Sequence, residues 1–549
     1  MYNYTVISRT EERQVEYLDV HEAAKHWNMT ERRVTALCRD GRIAGAKKEG
    51  KLWLVPQNAP PPPDGRTLKG AKNETQKDTG TGNGPGTGKE KEKKRMAKYF
   101  GTDGFRGKAG VVLTAEHAFK IGRFLGWYYA KEAKEGEKAR IVIGKDTRRS
   151  SYMFENALAA GIVSSGTDAY LLHVTTTPCV SYITRTENFD CGIMISASHN
   201  PFTDNGIKLM NGIGEKMDDA ILDQVEKYLD GEAEEIPWSV GIDIGKTVDF
   251  YSGRNRYIGY LTSLAVRSFE NHKVALDCAN GSAWMIAPSV FQALGAKTYV
   301  MNNTPDGFNV NLSCGSTHIE GLCEYVRDNN LDVGFAFDGD ADRCLAVDEL
   351  GNVVNGDQIM YICAKYFKDR GQLPTNTIVT TIMSNFGLYK ALDREGIAYE
   401  KTKVGDRFVY ENMKENGHLI GGEQSGHIIF RKFAHTGDGL ITAIMLMEVL
   451  IETQLPLSVL AAGMKLYPQV LKNVVVDDKE ATLSDPAVLE AVRKCETALG
   501  ENGRVLLRAS GTEPVLRVMA EAGSNEECAQ NVDAMIQAMK DSGHLISIR

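Results

Sequence analysis

Two stretches of this 549-residue chain place reactive side chains where an apolar run stops. The first is Met194-Ile195-Ser196-Ala197-Ser198-His199-Asn200-Pro201. The run from Gly192 to Ile195 ends abruptly in small and polar residues, which reads as a buried strand stopping at a loop. Ser198 is thereby held at a strand end, where α/β folds expose their chemistry. Asn205-Gly206 reads as a turn that bends the chain back and brings the Lys208 ammonium towards the serine. A serine in such a loop can also simply cap and turn, so the second stretch decides. Phe337-Asp338-Gly339-Asp340-Ala341-Asp342-Arg343 follows another apolar strand, Val333 to Phe337. Three carboxylates this close repel one another unless a cation sits among them. Hard oxygen donors alternating with small residues suit Mg²⁺.

These two stretches resemble the phosphoserine loop and the metal loop of the α-D-phosphohexomutase family. Four more match that family in its order: Gly101-Thr102-Asp103-Gly104-Phe105-Arg106-Gly107, Val404-Gly405-Asp406-Arg407, Gly422-Glu423-Gln424-Ser425-Gly426-His427 and Arg508-Ala509-Ser510-Gly511-Thr512-Glu513-Pro514. The resemblance runs from about Ala97 to Arg549. It implies that Ser198 carries a phosphoryl group, gives it to the sugar to form a bisphosphate, and recovers the other phosphoryl after the sugar has turned. Asp338, Asp340, Asp342 and the Ser198 phosphate would hold Mg²⁺. Lys208 and His199 are the nearby candidates for proton transfer, with His427 as a further one, and a Lys208 pKa lowered by the metal and an arginine would suit a base. Arg106 and Arg343 would stabilise the moving phosphoryl. Glu423 and Ser425 would take hydroxyls of the sugar ring. Arg508, Ser510, Gly511 and Thr512 would form a cradle for the phosphate that is not reacting. Within the family, Gly421 to Ile429 and His435-Thr436-Gly437-Asp438-Gly439 are closest to the branch acting on a hexosamine phosphate. That branch converts glucosamine 6-phosphate to glucosamine 1-phosphate for cell-wall precursors, with a sugar bisphosphate as activator. No carboxylate dedicated to a 2-ammonium is visible, so the mannose and glucose branches stay as alternatives.

The elements that must position these loops follow a repeated order of strand, small-residue loop and helix. It appears at Ile141 to Arg148 with Met153 to Ser165, at Val274 to Gly281 with Ala283 to Leu294, and at Ile378 to Ile382 with Gly387 to Glu395. The expectation is an α/β protein of three similar mixed-sheet domains, 99–250, 251–352 and 353–465. A smaller α+β domain, 466–549, would complete a central cleft, with strands Lys472 to Val476, Arg504 to Arg508 and Val515 to Ala520.

Ahead of this body lies a different kind of sequence. Asp19-Val20-His21-Glu22 is a capping-box pattern opening a helix with Ala23, Ala24 and Trp27 inward. Thr30 caps a second helix, Glu31 to Arg39, burying Val34 and Leu37; Ile43 to Lys48 and Lys51 to Val55 read as a hairpin. Residues 1–56 thus look like a winged helix-turn-helix module of the excisionase or MerR type. Arg32, Arg33 and Arg39 would meet bases or phosphate, and Lys47, Lys48 and Lys51 phosphate. Specific DNA reading would require a homodimer. The same module can instead serve protein contact, since its ten Lys/Arg stand against eight Asp/Glu. Residues 57–98, with Pro60 to Pro63 and a Gly/Thr-rich run from Thr79 to Gly88, read as a flexible linker.

The whole chain carries −8, which leaves −15 for residues 99–549. A polyanionic partner would therefore meet the front. No run of eighteen apolar residues and no basic-then-apolar start appears, and ten scattered cysteines fit reduced thiols in the cytoplasm. An intact Ser198, Lys208 and Asp triplet favour an enzyme over a DNA-binding regulator whose mutase body only senses a sugar phosphate.

Overall fold

The computed structural model describes residues 98–549 apart from 134–135 and 511–514, and, ahead of them, 17–27, 34–35, 38–39, 43, 46–49, 52–56 and 59. The chain divides into two units, 1–93 and 94–549.

In the front unit, β1 (Tyr17–Asp19), β2 (Lys47–Glu49) and β3 (Leu52–Pro56) form an antiparallel sheet in the order β1-β3-β2. The helix Val20–His26 opens on the expected capping box. The Glu22 amide donates to the Asp19 carboxylate at 2.8 Å, and the Glu22 side chain accepts from the Asp19 amide. Ala23, Ala24, Val34, Cys38, Ile43 and Val55 form the core, with Trp27 packed at its margin. The hairpin is present, its first strand three residues long and its second five, and β1 is an addition: three residues are too few to show an alternation. Arg32, Arg33, Leu37 and Lys51 lie outside the described residues, as does the linker between Ala59 and Lys98.

In the second unit one topology occurs three times. The first sheet has β4 (Phe100–Gly101), β5 (Gly104–Lys108), β6 (Arg140–Lys145), β7 (Asp168–Val174), β8 (Cys191–Ile195), β9 (Asp204–Asn211) and β10 (Thr247–Asp249), ordered β10-β7-β6-β8-β9-β5-β4. At its centre β6 lies between β7 and β8, both parallel to it, and β9 returns antiparallel to β8. The second sheet repeats this with β11 (Lys273–Asp277), β12 (Lys297–Met301), β13 (Val333–Phe337) and β14 (Cys344–Val347), edged by β15 (Val353–Val354). The third repeats it with β16 (Thr377–Thr381), β17 (Ala398–Thr402), β18 (Ile420–Gly422) and β19 (Ile428–Phe430). The serine loop joins β8 to β9, the aspartate loop β13 to β14, and the Glu423 loop β18 to β19. The three chemistry-bearing loops thus occupy the same topological position, where a buried parallel strand turns back on itself.

The fourth sheet is antiparallel: β20 (Gln469–Val476), β21 (Arg504–Ala509), β22 (Leu516–Glu521) and β23 (Leu545–Ile548), ordered β21-β22-β20-β23. Helices Pro486–Leu499 and Asn525–Asp541 cover it. The largest apolar cluster runs through the second and third sheets around the helix Gly439–Thr453, which is apolar on all sides and buried from Gly439 to Leu450. All ten cysteines are unpaired. Among the described residues no helix is long and apolar enough to cross a membrane.

One local expectation is corrected. Asn205 and Gly206 do not form the turn before Lys208; both lie within β9. The reversal is completed at Pro201, whose carbonyl accepts from the Asp204 amide at 3.0 Å. Gly206 serves close approach instead: a Cβ there would stand 2.5 Å from the Ser196 carbonyl oxygen. Lys208 reaches the loop because it pairs with Met194 across the ladder.

Candidate active site

Ser198 is fully buried and sits at φ +51°, a left-handed conformation that costs a non-glycine residue about 1 kcal/mol. Its surroundings hold it there. The Ser198 amide donates to Ser196 Oγ at 2.9 Å. Its carbonyl accepts from the Arg148 guanidinium at 3.0 Å and from Asn311 Nδ2 at 2.9 Å. Arg148, itself wholly buried and paired with Asp146, also donates to the Asn200 carbonyl at 2.5 Å. One guanidinium therefore clamps the loop on both sides of the serine.

The aspartate loop meets the serine directly. Ser198 Oγ donates to Asp338 Oδ2 at 2.6 Å. The loops touch at Gly339, where a Cβ would lie 2.5 Å from the Ser198 carbonyl oxygen. Asp338, Asp340 and Asp342 are all buried and each offers an oxygen within 4.8 Å of the others. Burial first, then the carboxylates of Asp342 and Asp340, push Asp338 up to about 8. Burial and Asp342 also raise Asp340, whereas Lys208 and His427 overcome the burial of Asp342 and hold it well below the usual range. Asp340 Oδ1 and Asp342 Oδ1 have no hydrogen-bond partner. Three buried hard oxygens with mutual repulsion and unspent lone pairs fit a small divalent cation.

Lys208 Nζ donates to Asp340 Oδ2 at 2.8 Å and Asp342 Oδ2 at 3.1 Å, and lies 3.4 Å from Asp103 Oδ2. Burial pulls the Lys208 pKa down, but Asp103, Asp340 and Asp342 outweigh burial and Arg106 and hold it well above its ordinary value. Arg106 pairs with Asp103, and its Nε has no hydrogen-bond partner. The Arg343 amide donates to Asp338 Oδ1 at 3.2 Å, with its Nε 3.8 Å from Asp342 and without a hydrogen bond. His199 Nδ1 lies 3.3 Å from Ser198 Oγ; burial, then Arg343 and Arg106, push it down to about 4.

His427 joins this centre from the third sheet, its Nδ1 3.7 Å from Asp342 and its Nε2 3.5 Å from Asp406. Burial works against its charged form and Asp342 for it, to about 9, yet the Gly437 amide points at Nε2 from 3.0 Å. A fixed N–H donor requires a lone pair there, so the ring is neutral with its proton on Nδ1, towards Asp342. Glu423 Oε1 accepts from the Gly405 amide at 3.1 Å, and Ser425 is exposed on the same loop.

The fourth sheet carries the arginine of the last matching stretch. Arg508 lies on β21 directly opposite Arg517 on β22. Burial and then Arg517 lower it, and its Nε has no hydrogen-bond partner. Among the described residues no hydrogen bond or ion pair joins Arg508 to the serine and aspartate loops. Gly511 and Thr512 lie outside the described residues. The loops of the first three sheets meet at this centre, and of the fourth loop Arg508, Ala509 and Ser510 are described. Reading the sequence missed Arg148, Asn311 and Arg517. Only Arg517, beyond the quoted loop on the strand that follows it, had a positional signal.

Four family models match in order: phosphoglucomutase/phosphomannomutase alpha/beta/alpha domain I over residues 97–235, domain II over 255–351, domain III over 355–467 and the C-terminal domain over 471–538. A phosphoglucosamine mutase of Lachnospira eligens is 64% identical over 451 residues, covering 82% of this chain and 100% of that protein. The fold is shared with a phosphoglucomutase/phosphomannomutase family protein of Burkholderia thailandensis, with a TM-score of 0.67 at 22% identity over 82% of this chain and 98% of that one. It is also shared with Aspergillus fumigatus N-acetylphosphoglucosamine mutase in complex with GlcNAc-6P and magnesium, with a TM-score of 0.59 at 16% identity over 82% and 96%. Residues 1–96 lie ahead of the four matched domains.

Proposed function

As a member of the phosphoglucomutase/phosphomannomutase family, to which this chain belongs, the protein is a phosphohexomutase, and we propose that it interconverts glucosamine 6-phosphate and glucosamine 1-phosphate through a phosphoserine at Ser198. The observation that carries the reading is the hydrogen bond from Ser198 Oγ to Asp338 inside a buried triplet of carboxylates. The amino sugar is favoured by 64% identity to a phosphoglucosamine mutase over that protein's whole length, against the neutral-sugar alternatives.

Phosphorylated Ser198 gives its phosphoryl to O1 of the 6-phosphate: the Oγ–P bond breaks and the O1–P bond forms. After the bisphosphate has turned, Ser198 Oγ takes the phosphoryl from O6, and O6 recovers a proton. The proton that O1 loses as it attacks is the one O6 recovers when it leaves; Lys208 would carry it between the two, taking it as the neutral amine and returning it as the ammonium. Arg106 and Arg343, whose Nε groups make no hydrogen bonds, face the charge on the moving phosphoryl. Asp338, Asp340 and Asp342 would hold Mg²⁺, which supplies neutralisation of that charge. Glu423 and Ser425 would read ring hydroxyls, and Arg508, Ser510, Gly511 and Thr512 the idle phosphate.

The reading is of a cytoplasmic enzyme supplying amino-sugar precursors, with a winged helix-turn-helix module in front. For that module the capped helix, the hairpin and the exposed Arg39 and Lys48 are the support. Salt-dependent retention of the full chain on DNA, lost without residues 1–95, is the expected result; no retention at low salt would end that part. The enzyme is tested by turnover with Mg²⁺ and a trace of sugar bisphosphate on glucosamine, glucose and mannose 6-phosphates side by side. Preference for the amino sugar is expected. Preference for a neutral sugar would move the protein to another branch, and silence on all three would revive the sensor reading.

A further inference from the structure

Lys216 stands on the turn that follows β9, in a stretch, Gly214-Glu215-Lys216, that carries no motif. Its ammonium donates to the Thr102 carbonyl at 2.8 Å and to Asp406 Oδ1 at 2.7 Å, and lies 3.4 Å from Asp103 Oδ1. These contacts close a ring. Asp103 lies 3.4 Å from Lys208, and Lys208 is 3.1 Å from Asp342. Asp342 is 3.7 Å from His427, and His427 is 3.5 Å from Asp406, which returns to Lys216. Acid and base alternate around it, and the loops of all three repeated sheets contribute. Lys216 stands in none of the family-matching stretches.

We propose that Lys216 is a positioning residue for phosphoryl transfer, one ammonium that fixes the arginine end of the site relative to the sugar-reading end. On one side it holds Asp103, which pairs with Arg106 and faces Lys208. On the other it holds Asp406, next to Gly405, whose amide donates to Glu423 Oε1. Asp103 and Asp406 come from different sheets and are both carboxylates. Without a cation between them they repel, and the third-sheet loop backs away from the first. A displacement of about 1 Å at such a point costs turnover on the order of a hundredfold, because reacting groups must meet within a narrow geometry. Sequence spacing could not reveal this, since the ring closes only across 113 and 190 residues of chain.

The proposal rests on the mutase reading above, so the test separates the two. The full chain is compared with Lys216→Met, Lys216→Arg, Asp406→Asn and the Lys216→Met/Asp406→Asn pair. Lys216→Met is expected to lower kcat for glucosamine 6-phosphate about tenfold to a hundredfold with little change in thermal midpoint. Lys216→Arg should recover most of that. The pair should lose no more than Lys216→Met alone, because the two residues act as a unit. Unchanged kcat and KM in Lys216→Met, or losses that add in the pair, would overturn the proposal. Without substrate, hydrogen exchange over residues 101–107 and 402–412 should quicken in Lys216→Met; unaltered exchange would also overturn it. If the unaltered chain fails to turn over glucosamine 6-phosphate, the mutase reading falls while exchange still tests the ring.

Discussion

Two clusters of like charge, opposite in sign, stand at strand ends in this molecule. Beyond β13 three carboxylates crowd together, wholly buried, and the Ser198 hydroxyl donates into them. At the end of β21 two guanidiniums, Arg508 and Arg517, face each other across the ladder, half-buried. Like charges directly opposite destabilise a sheet unless something of the other sign lies between. The acidic cluster asks for a cation. The difference in burial is instructive. The acidic cluster is clamped by Lys208, Arg343 and the Arg148-held serine loop, a site for something that stays. The basic cluster keeps access to water, which suits the proposed hold on a phosphate that must leave and return. A sugar bisphosphate that turns between two half-reactions needs one of each.

The comparison can be broken at either cluster. Ser198→Ala should lower turnover by about four orders of magnitude or more with the circular dichroism unchanged, since it removes the hydroxyl that the mechanism phosphorylates, and the Thr177 hydroxyl beside the triplet is spent on Asp340. Chelation of divalent cations should stop turnover, and added Mg²⁺ restore it; full activity in chelator would remove the argument from carboxylate repulsion. Arg508→Met should raise KM about tenfold to a hundredfold, the worth of charge-assisted hydrogen bonds of about 1.5–3 kcal/mol, with kcat affected less. A fall in kcat alone would mean that the basic cluster belongs to the chemistry and not to the hold.

His199 gives the smallest effect. Its ring is neutral down to about 4, so His199→Gln should cost about two- to tenfold in kcat, the worth of one neutral hydrogen bond of about 0.5–1.5 kcal/mol. No inflection in the activity profile between about pH 5.5 and 7.5 should trace to it. The sign for stability follows: the unfolded ring takes its proton near 6.5 and the folded one near 4. Its contribution is thus fully present above about 6.5 and is lost as pH falls towards 4. The glutamine variant should show a shallower loss of thermal midpoint over that window.

What the sequence disclosed was whatever is written locally. The Asp19 to Glu22 capping box spans four residues and appears as read. Val333 to Phe337 is an uninterrupted apolar run and is β13 with those bounds. The serine and aspartate loops were legible because each follows such a run. Asn205-Gly206 misled, because a dipeptide common in turns also serves a strand that must pass close to another backbone. Arg148, Asn311 and Lys216 were illegible for a different reason. The site contacts named for them lie 50 to 190 residues away, and nothing in their neighbours says what the fold will bring to them. The carboxylates around Lys208 were illegible in the same way, since β9 delivers it to Asp103, Asp340 and Asp342 across more than 100 residues of chain.

The most direct test of the account follows the phosphoryl group itself. The protein would be labelled with a radioactive sugar bisphosphate in Mg²⁺, chased with glucosamine 6-phosphate, and the label located by mass spectrometry before and after the chase. The account predicts one phosphoryl group per chain, on Ser198, passing to the sugar at least as fast as steady-state turnover. Label on another residue, or label that stays on Ser198 while turnover proceeds, would contradict it.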